Sequence, residues 1–421
     1  MKSRFPYLDG LRGLAALLVV LHHGTISHDW ALHSGLVSDS KFSWDVAVSG
    51  MPFFLLNGGD FAVCLFLVLS GFVLAHSFLH SSLGIFASAI KRYTRLTMPI
   101  VVTSLISLAV GILTPSFALP GAIGSGRSWL DLVGALRFCL VEALYNATVT
   151  GLHGATYNGV LWTIPIEFHG SLLLLLVFAA TRRIARTSST WTTLAGVACF
   201  VLFLLTWHSR LGLFGAGATL YALSATDRLR PLDGRGVWVA ALVVFALFLG
   251  TMPESPERIS IYNQLIRLVG EAPEVAAGAT VRHPLPTLLG VHDPTPYRLS
   301  AIAFWHSVGA ILILWTIFLS RTIMRVLNHG FCQWLGRLSF PLYLIHTTVY
   351  RTVGLGVYGW VAARGIPYGV SSLIAIATYT LASLAAADVL ARTVERPSVR
   401  RSRELGQWID ARLKRKPAPV P

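Results

Sequence analysis

Arg12, His22 and His23 sit inside an otherwise apolar N-terminal stretch, Leu8–His23. Charged and imidazole side chains are costly in hydrocarbon, so at such depth they face a protein interior or a watery cavity and mark function. A neutral imidazole takes a proton from a hydroxyl near neutral pH, because its ordinary pKa is near 6.5. Arg12 and His23 are 11 residues apart. In a helix that is close to three whole turns, so both project from one face, roughly 16 Å apart along the axis. They are two stations along one cavity and cannot touch. His22 points about 80° away from that face and fits a helix-end or headgroup role. For Arg12 three readings stand: snorkelling to the headgroups, pairing with Asp9 at i,i+3, or holding a substrate phosphate.

Further ionisable groups recur in apolar runs. Arg92 and Arg95, in Lys91-Arg92-Tyr93-Thr94-Arg95, are three apart and share a helix face. Guanidinium groups grip phosphates through paired hydrogen bonds; ordinary loop charge is the other reading. Glu167 lies two residues after Pro165, which frees the Leu161 carbonyl and predicts a kink. A lone carboxylate in lipid needs a partner, and Arg12, Arg92 and His23 are the candidates. Ser70 in Leu69-Ser70-Gly71-Phe72 serves close helix packing or lines an acyl channel. His306, Tyr343 and His346 are intramembrane polar groups suited to packed, hydrogen-bonded positions, and Asp388 pairs with Arg392 at i,i+4. Four scattered cysteines (Cys64, Cys139, Cys199, Cys332) form no disulfide or metal spacing, so no metal site is expected. No GxSxG, P-loop, Rossmann or HExxH pattern occurs.

The elements that must position these groups are membrane helices. Of 421 residues 54% are hydrophobic and 13% charged, about half the charged fraction of a soluble protein. The fold class is all-α and polytopic. About ten apolar spans are expected, centred near 10–27, 60–80, 96–114, 159–180, 190–207, 210–226, 236–252, 300–320, 334–356 and 369–392. The net charge of +15 follows the positive-inside rule rather than nucleic-acid binding: with both termini cytosolic, every inside segment is basic, including Arg182-Arg183, Arg321 with Arg325, and the tail from Arg392. The expected division is a transmembrane domain over 1–392 and a basic cytosolic tail over 393–421. The N-terminus is expected to be retained rather than cleaved, because Arg12 and the His pair frame its apolar run. Trp129–Arg137 has a polar face and suits the outer membrane surface. The sequon Asn146-Ala147-Thr148 falls on an expected outer loop, where glycosylation is allowed. Residues 253–299 are too polar to span and suit a lid or acceptor-contacting loop.

Taken together, these residues resemble the acyltransferase-3 family of integral-membrane acyltransferases, over most of the chain. Leu8-Asp9-Gly10-Leu11-Arg12-Gly13 running to His23 resembles the family's Arg-x10-His signature. Phe66–Phe72, Arg92-x-x-Arg95 before Pro99, Trp162-Thr163 with Glu167, Leu338–His346 and Glu395-Arg396-Pro397 follow in family order. The composition is closer to fungal members than to bacterial sugar-modifying ones. The resemblance implies O-acyl transfer, usually acetyl, from acyl-CoA to a hydroxyl of a carbohydrate, lipid or small molecule. Acetyl-CoA is then a co-substrate, with no tightly bound cofactor. Coenzyme A carries several phosphates, so Arg12, Arg92 and Arg95, with Ser70, are expected on the donor. His23 is the general base or a transient acyl carrier, with Glu167 orienting it or stabilising its imidazolium. Trp162, Thr163, Tyr343 and His346 are expected at the substrate. The competing reading is a proton-coupled transporter using the same His, Arg and Glu. The sequence shows no internal repeat, whereas many transporter folds are built from repeats.

Overall fold

The computed structural model describes residues 5–114, 128–151, 156–226, 236–253, 260–269 and 299–414, and among them every regular element is helical. The helices used below are α1 (Pro6–His28), α2 (Gly59–Leu79), α3 (Ile85–Leu113), α4 (Trp129–Val141), α5 (Thr163–Ile184), α6 (Ser188–Leu205), α7 (Gly212–Ala225), α8 (Gly236–Gly250), α9 (Ser260–Val269), α10 (Ala301–Leu319), α11 (Arg321–Leu327), α12 (Gly330–Val349), α13 (Leu355–Ala362), α14 (Tyr368–Leu390) and α15 (Arg396–Lys414). Local chemistry starts several of them. Pro6 occupies the first turn of α1, where its missing N–H costs nothing. Ser128, Thr187, Ser300 and Ser320 cap α4, α6, α10 and α11 with their hydroxyls.

Helices occur at all ten expected spans. Among the described residues eight helical stretches are long and apolar enough to cross a membrane, and seven of them lie at expected spans. α7 and α8 are shorter apolar helices. The eighth stretch, Trp129–Thr150, corrects the surface helix expected over 129–137. α4 continues through a wide turn, Glu142–Thr150, and runs antiparallel beside α3. Ala135 and Cys139 pack with Leu108, and farther along Tyr93 Oη donates to the Leu144 carbonyl at 2.6 Å. The apolar pattern of Trp129–Arg137 extends through Phe138–Val149, so the helical stretch is long and apolar enough to cross rather than only to lie on the surface. The sequon expectation fails for the same reason. Asn146 is inside that helical segment, and Ala147 and Thr148 have no exposed surface. Within the 253–299 loop the described residues are 253, 260–269, which form α9, and 299; the lid expectation for the rest lies outside the described residues.

α14 runs through another wide turn, Ala391–Glu395, into α15, giving one helical stretch of 47 residues. At about 1.5 Å per residue it is roughly 70 Å long, more than twice a hydrocarbon core of about 30 Å. The basic residues expected in a tail are thus helical as far as Lys414, and they dock on the start of α3. Ser398 Oγ donates to the Arg95 carbonyl at 3.2 Å, and Asp410 Oδ1 accepts from the Gly84 N–H at 2.9 Å. At the opposite end, residues 29–58 fold into short turns around Asp45. Its carboxylate accepts from the backbone N–H groups of Lys41, Phe42 and Val46 and from Ser40 Oγ.

The central packing is α1 against α12, with α2 and α14 alongside. α1 and α12 run parallel and nearly touch at Gly13 and Gly336. A Cβ at Gly13 would lie 2.7 Å from the Leu335 Cβ, closer than real carbon atoms approach. Small residues let membrane helices pack through backbone contact. Gly71 does the same for α2 against α7, where a Cβ would meet the Phe214 Cα at 2.7 Å.

Two outcomes test this arrangement. Gly13→Val should force α1 off α12 at an overpacking cost of about 1–3 kcal/mol or more, read as a lower Tm in detergent. An unchanged Tm would refute the contact. Expressed in a eukaryotic host, Asn146→Gln should leave electrophoretic mobility unchanged, because the sequon is helical and its Thr148 buried; a downward shift would show a glycan there.

Candidate active site

Two cavities lie along α1, one at each of the stations set by Arg12 and His23. The first, of about 220 Å³, is walled by Leu8, Phe66, Leu69 and other apolar side chains and carries Arg12, Arg92, Arg95, Ser70, Glu167 and Glu395. α1, α2, α3, α5 and the wide turn after α14 each supply a polar group. Arg92 and Glu167 form an ion pair, and Ser70 Oγ donates to Glu167 Oε1 at 2.7 Å. Arg12 donates from Nε to Ser339 Oγ at 2.8 Å and from Nη2 to the Gly336 carbonyl at 3.2 Å, with Asp9 at 3.5 Å. Of the readings for Arg12, pairing with Asp9 is therefore present, and the same side chain also faces the cavity. Arg95 differs from the other two cations. Among the described residues its guanidinium makes no hydrogen bond or ion pair. It lines the cavity with Glu395 and Glu167 on the same wall, and its planar fork of donors is not committed to either.

The second cavity, of about 180 Å³, lies toward the far end of α1. Its polar lining is His22, His23, His33, Asn57, Asp60 and Trp162. His22 Nδ1 donates to the Leu56 carbonyl at 2.7 Å, so His22 is buried and tied down rather than in the headgroups. His23 is less buried, and its Nδ1 is enclosed with no hydrogen-bond partner. Its ring centroid lies 5.4 Å from that of His22 and 5.0 Å from that of His346. Among the described residues no group of His, Cys, Asp or Glu has the arrangement to hold a metal ion.

Val63 and Tyr343 line both cavities and form the partition between them. Tyr343 Oη donates its one proton to the Val160 carbonyl at 2.5 Å, so in its 2.8 Å contact with Thr163 it accepts. Thr163 thus holds the partition from the first cavity and Trp162 lines the second. His346 has no exposed surface and lines neither cavity; it stands behind His23. Glu167 does not line the cavity that holds His23. Of its three candidate partners the structure selects Arg92.

One cluster escaped the sequence reading. Asp60, at the edge of an apolar run, is the second residue of α2. It is ion-paired with Arg210 and bonded to His306 Nδ1 at 3.1 Å, while His306 Nε2 donates to the Met252 carbonyl at 3.0 Å. The Arg210 guanidinium lies over Trp162, 5.4 Å from the ring centroid. His306 is hydrogen-bonded as expected, but its partner joins three distant segments. Asn158 was also missed. It donates to the Leu344 carbonyl at 2.7 Å and accepts from Thr347 at 3.0 Å, fixing α12 beside Tyr343. The available signal was a lone Asp and a lone Arg at the edges of apolar runs, with opposite signs. The i,i+4 pair of Arg392 with Asp388 forms as expected, at 2.5 Å.

Comparison with known proteins supplies the class of reaction. The acyltransferase-3 family model, described as an acyltransferase domain, matches residues 5–392. The chain is 24% identical over 386 residues to O-acetyltransferase PaAT-1 of Phomopsis amygdali, covering 83% of this chain and 72% of that protein. It is 22% identical to acyltransferase clz18 of Cochliobolus lunatus and 23% identical to acyltransferase R4 of Phoma sp. (strain ATCC 20986 / MF5453), covering 94% of both partners in each comparison. No solved structure matches. A family match across nearly the whole chain, on a frame of membrane-length helices, decides against the transporter: the chain belongs to the acyltransferase-3 family and is an integral-membrane acyltransferase, acting on acyl groups other than aminoacyl groups.

Proposed function

We propose that the protein transfers an acyl group, acetyl in the first instance, from acyl-CoA on the cytosolic side to a hydroxyl of a carbohydrate, lipid or small-molecule acceptor, with His23 as general base. The observation that carries this reading is the pair of cavities meeting at Tyr343 and Val63, with Arg95 on one side and His23 on the other. Coenzyme A is a polyanion, and Arg95 offers it an uncommitted guanidinium, with Arg12 close by. Arg92 is engaged by Glu167, so that pair serves to shape the donor cavity and hold α3 against α5. The apolar walls of the first cavity suit an acyl thioester passing toward the partition. The O-acetyltransferase name of one relative supports acetyl as the group.

The chemistry then runs as acyl transfer. The acceptor hydroxyl lies in the second cavity and gives its proton to His23 Nε2. Its oxygen bonds to the thioester carbon, the C–S bond breaks, and coenzyme A leaves as a thiolate that takes up a proton. Glu167 acts on the donor side in this scheme rather than on His23.

Membranes containing the protein, given labelled acetyl-CoA and a lipid and glycan extract, test this reading. Loss of a general base costs about 10²–10⁴-fold, so His23→Ala should lower kcat by that order while His22→Ala keeps most of the activity. If His23→Ala transfers label like the parent, the site assignment is wrong. Arg95→Ala should raise KM for acetyl-CoA about 10-fold or more, the worth of one hydrogen-bonded charge, with kcat nearly unchanged; an unchanged KM removes Arg95 from the donor site. Arg92→Ala should instead reduce the yield of folded protein, because the half-buried Glu167 loses its cation, at a cost below the about 3–5 kcal/mol of breaking a fully buried pair. Normal yield and Tm would refute that structural role.

A further inference from the structure

Two imidazoles meet behind the second cavity, and each has a buried nitrogen with no partner: His23 Nδ1 and His346 Nε2. Their ring centroids are 5.0 Å apart and the planes are inclined by 55°. The state of His346 follows from its other nitrogen. Nδ1 contacts the Tyr343 carbonyl at 2.8 Å and the Leu342 carbonyl at 3.2 Å. A carbonyl only accepts, so Nδ1 carries the proton. In the neutral ring Nε2 is then a bare lone pair. The side chain has no exposed surface, and an unmet buried acceptor is costly. The neighbour able to meet it is His23, whose own Nδ1 is equally enclosed.

We propose that His346 is a positioning residue for His23: its Nε2 accepts from His23 Nδ1–H, directly after a small ring rotation or through one water, and so fixes the tautomer that leaves the His23 Nε2 lone pair facing the acceptor cavity. This rests on the reading of His23 as general base. A free neutral imidazole divides its proton between two nitrogens, and a partner at one of them selects the tautomer. When His23 takes the acceptor's proton at Nε2, its Nδ1–H stays in place and the positive charge is shared with the His346 lone pair. No proton need pass to His346.

Helix geometry supports the pairing. His23 is ten residues beyond Gly13, and His346 is ten residues beyond Gly336. α1 and α12 run parallel from that glycine contact, so equal steps keep the two rings level. Asn158 holds α12 at the same height through the Leu344 carbonyl. His346 is therefore carried by rigid helix.

The test uses two substitutions of nearly equal shape. His346→Gln keeps an acceptor oxygen and His346→Met does not. Loss of a residue that orients a reacting group costs about 10–100-fold, so His346→Met should lower kcat by that order with KM for acetyl-CoA unchanged, and His346→Gln should recover a large part of it. Equal loss in both variants, or loss expressed in KM, overturns the proposal. His23→Ala is measured alongside. If it is inactive while both His346 variants behave like the parent, the base assignment stands and the positioning role falls; if it is active, both fall. A second measurement needs no change at position 346. In ¹⁵N spectra of histidine-labelled protein, with His23 assigned by its absence in His23→Ala, Nδ1 should be protonated and Nε2 bare. The opposite tautomer overturns the proposal even if neither His346 variant folds.

Discussion

At Gly13 and Gly336 the backbones of α1 and α12 meet with no side chain between them. In a bilayer, lipid tails are as apolar as leucine, so helices are held by close packing and buried hydrogen bonds rather than by escape from water. This contact provides both. Arg12, one residue before Gly13, reaches across to the Gly336 carbonyl and Ser339. Ten residues further on, the same two parallel helices bring His23 beside His346. One backbone contact therefore sets the height of the cavity that carries Arg12 and of the imidazole beyond it.

Charge inside the bundle divides into two kinds. Arg92 with Glu167 and Arg210 with Asp60 are paired, and each pair joins segments distant in sequence. Taking such charges out of water costs several kcal/mol per ion, which the mutual attraction and the added bonds from Ser70 and His306 offset. Their use is to fix which helices meet. Arg95 and His23 are the other kind: each lines a cavity, the Arg95 guanidinium makes no hydrogen bond or ion pair among the described residues, and His23 Nδ1 has no partner.

Tyr343 connects the two halves. Its hydroxyl is tied to Val160 and Thr163 at the start of α5, and its ring faces both cavities. The two cavities are thus divided by a side chain that belongs to the same helix as His346. A change on α12 would be felt on both sides of the partition.

The sequence by itself determined the class of fold, because a low charge fraction and ten apolar runs allow only membrane helices, and every one of those runs is helical. It also determined that Arg12 and His23 share a face, since the helical repeat needs no partner to be read. It picked out Glu167 as a carboxylate in need of a cation. Only tertiary structure decided which cation, and chose Arg92 over Arg12 and His23. Only tertiary structure joined Asp60 to Arg210 and His306 and placed His346 behind His23. It also joined the expected surface helix of 129–137 and the expected outer loop of the sequon into one helical stretch, Trp129–Thr150. The reason is physical. Periodicity along one helix fixes directions around its own axis, whereas partners across helices depend on where glycines let backbones approach and at what height, and that information is spread over segments hundreds of residues apart.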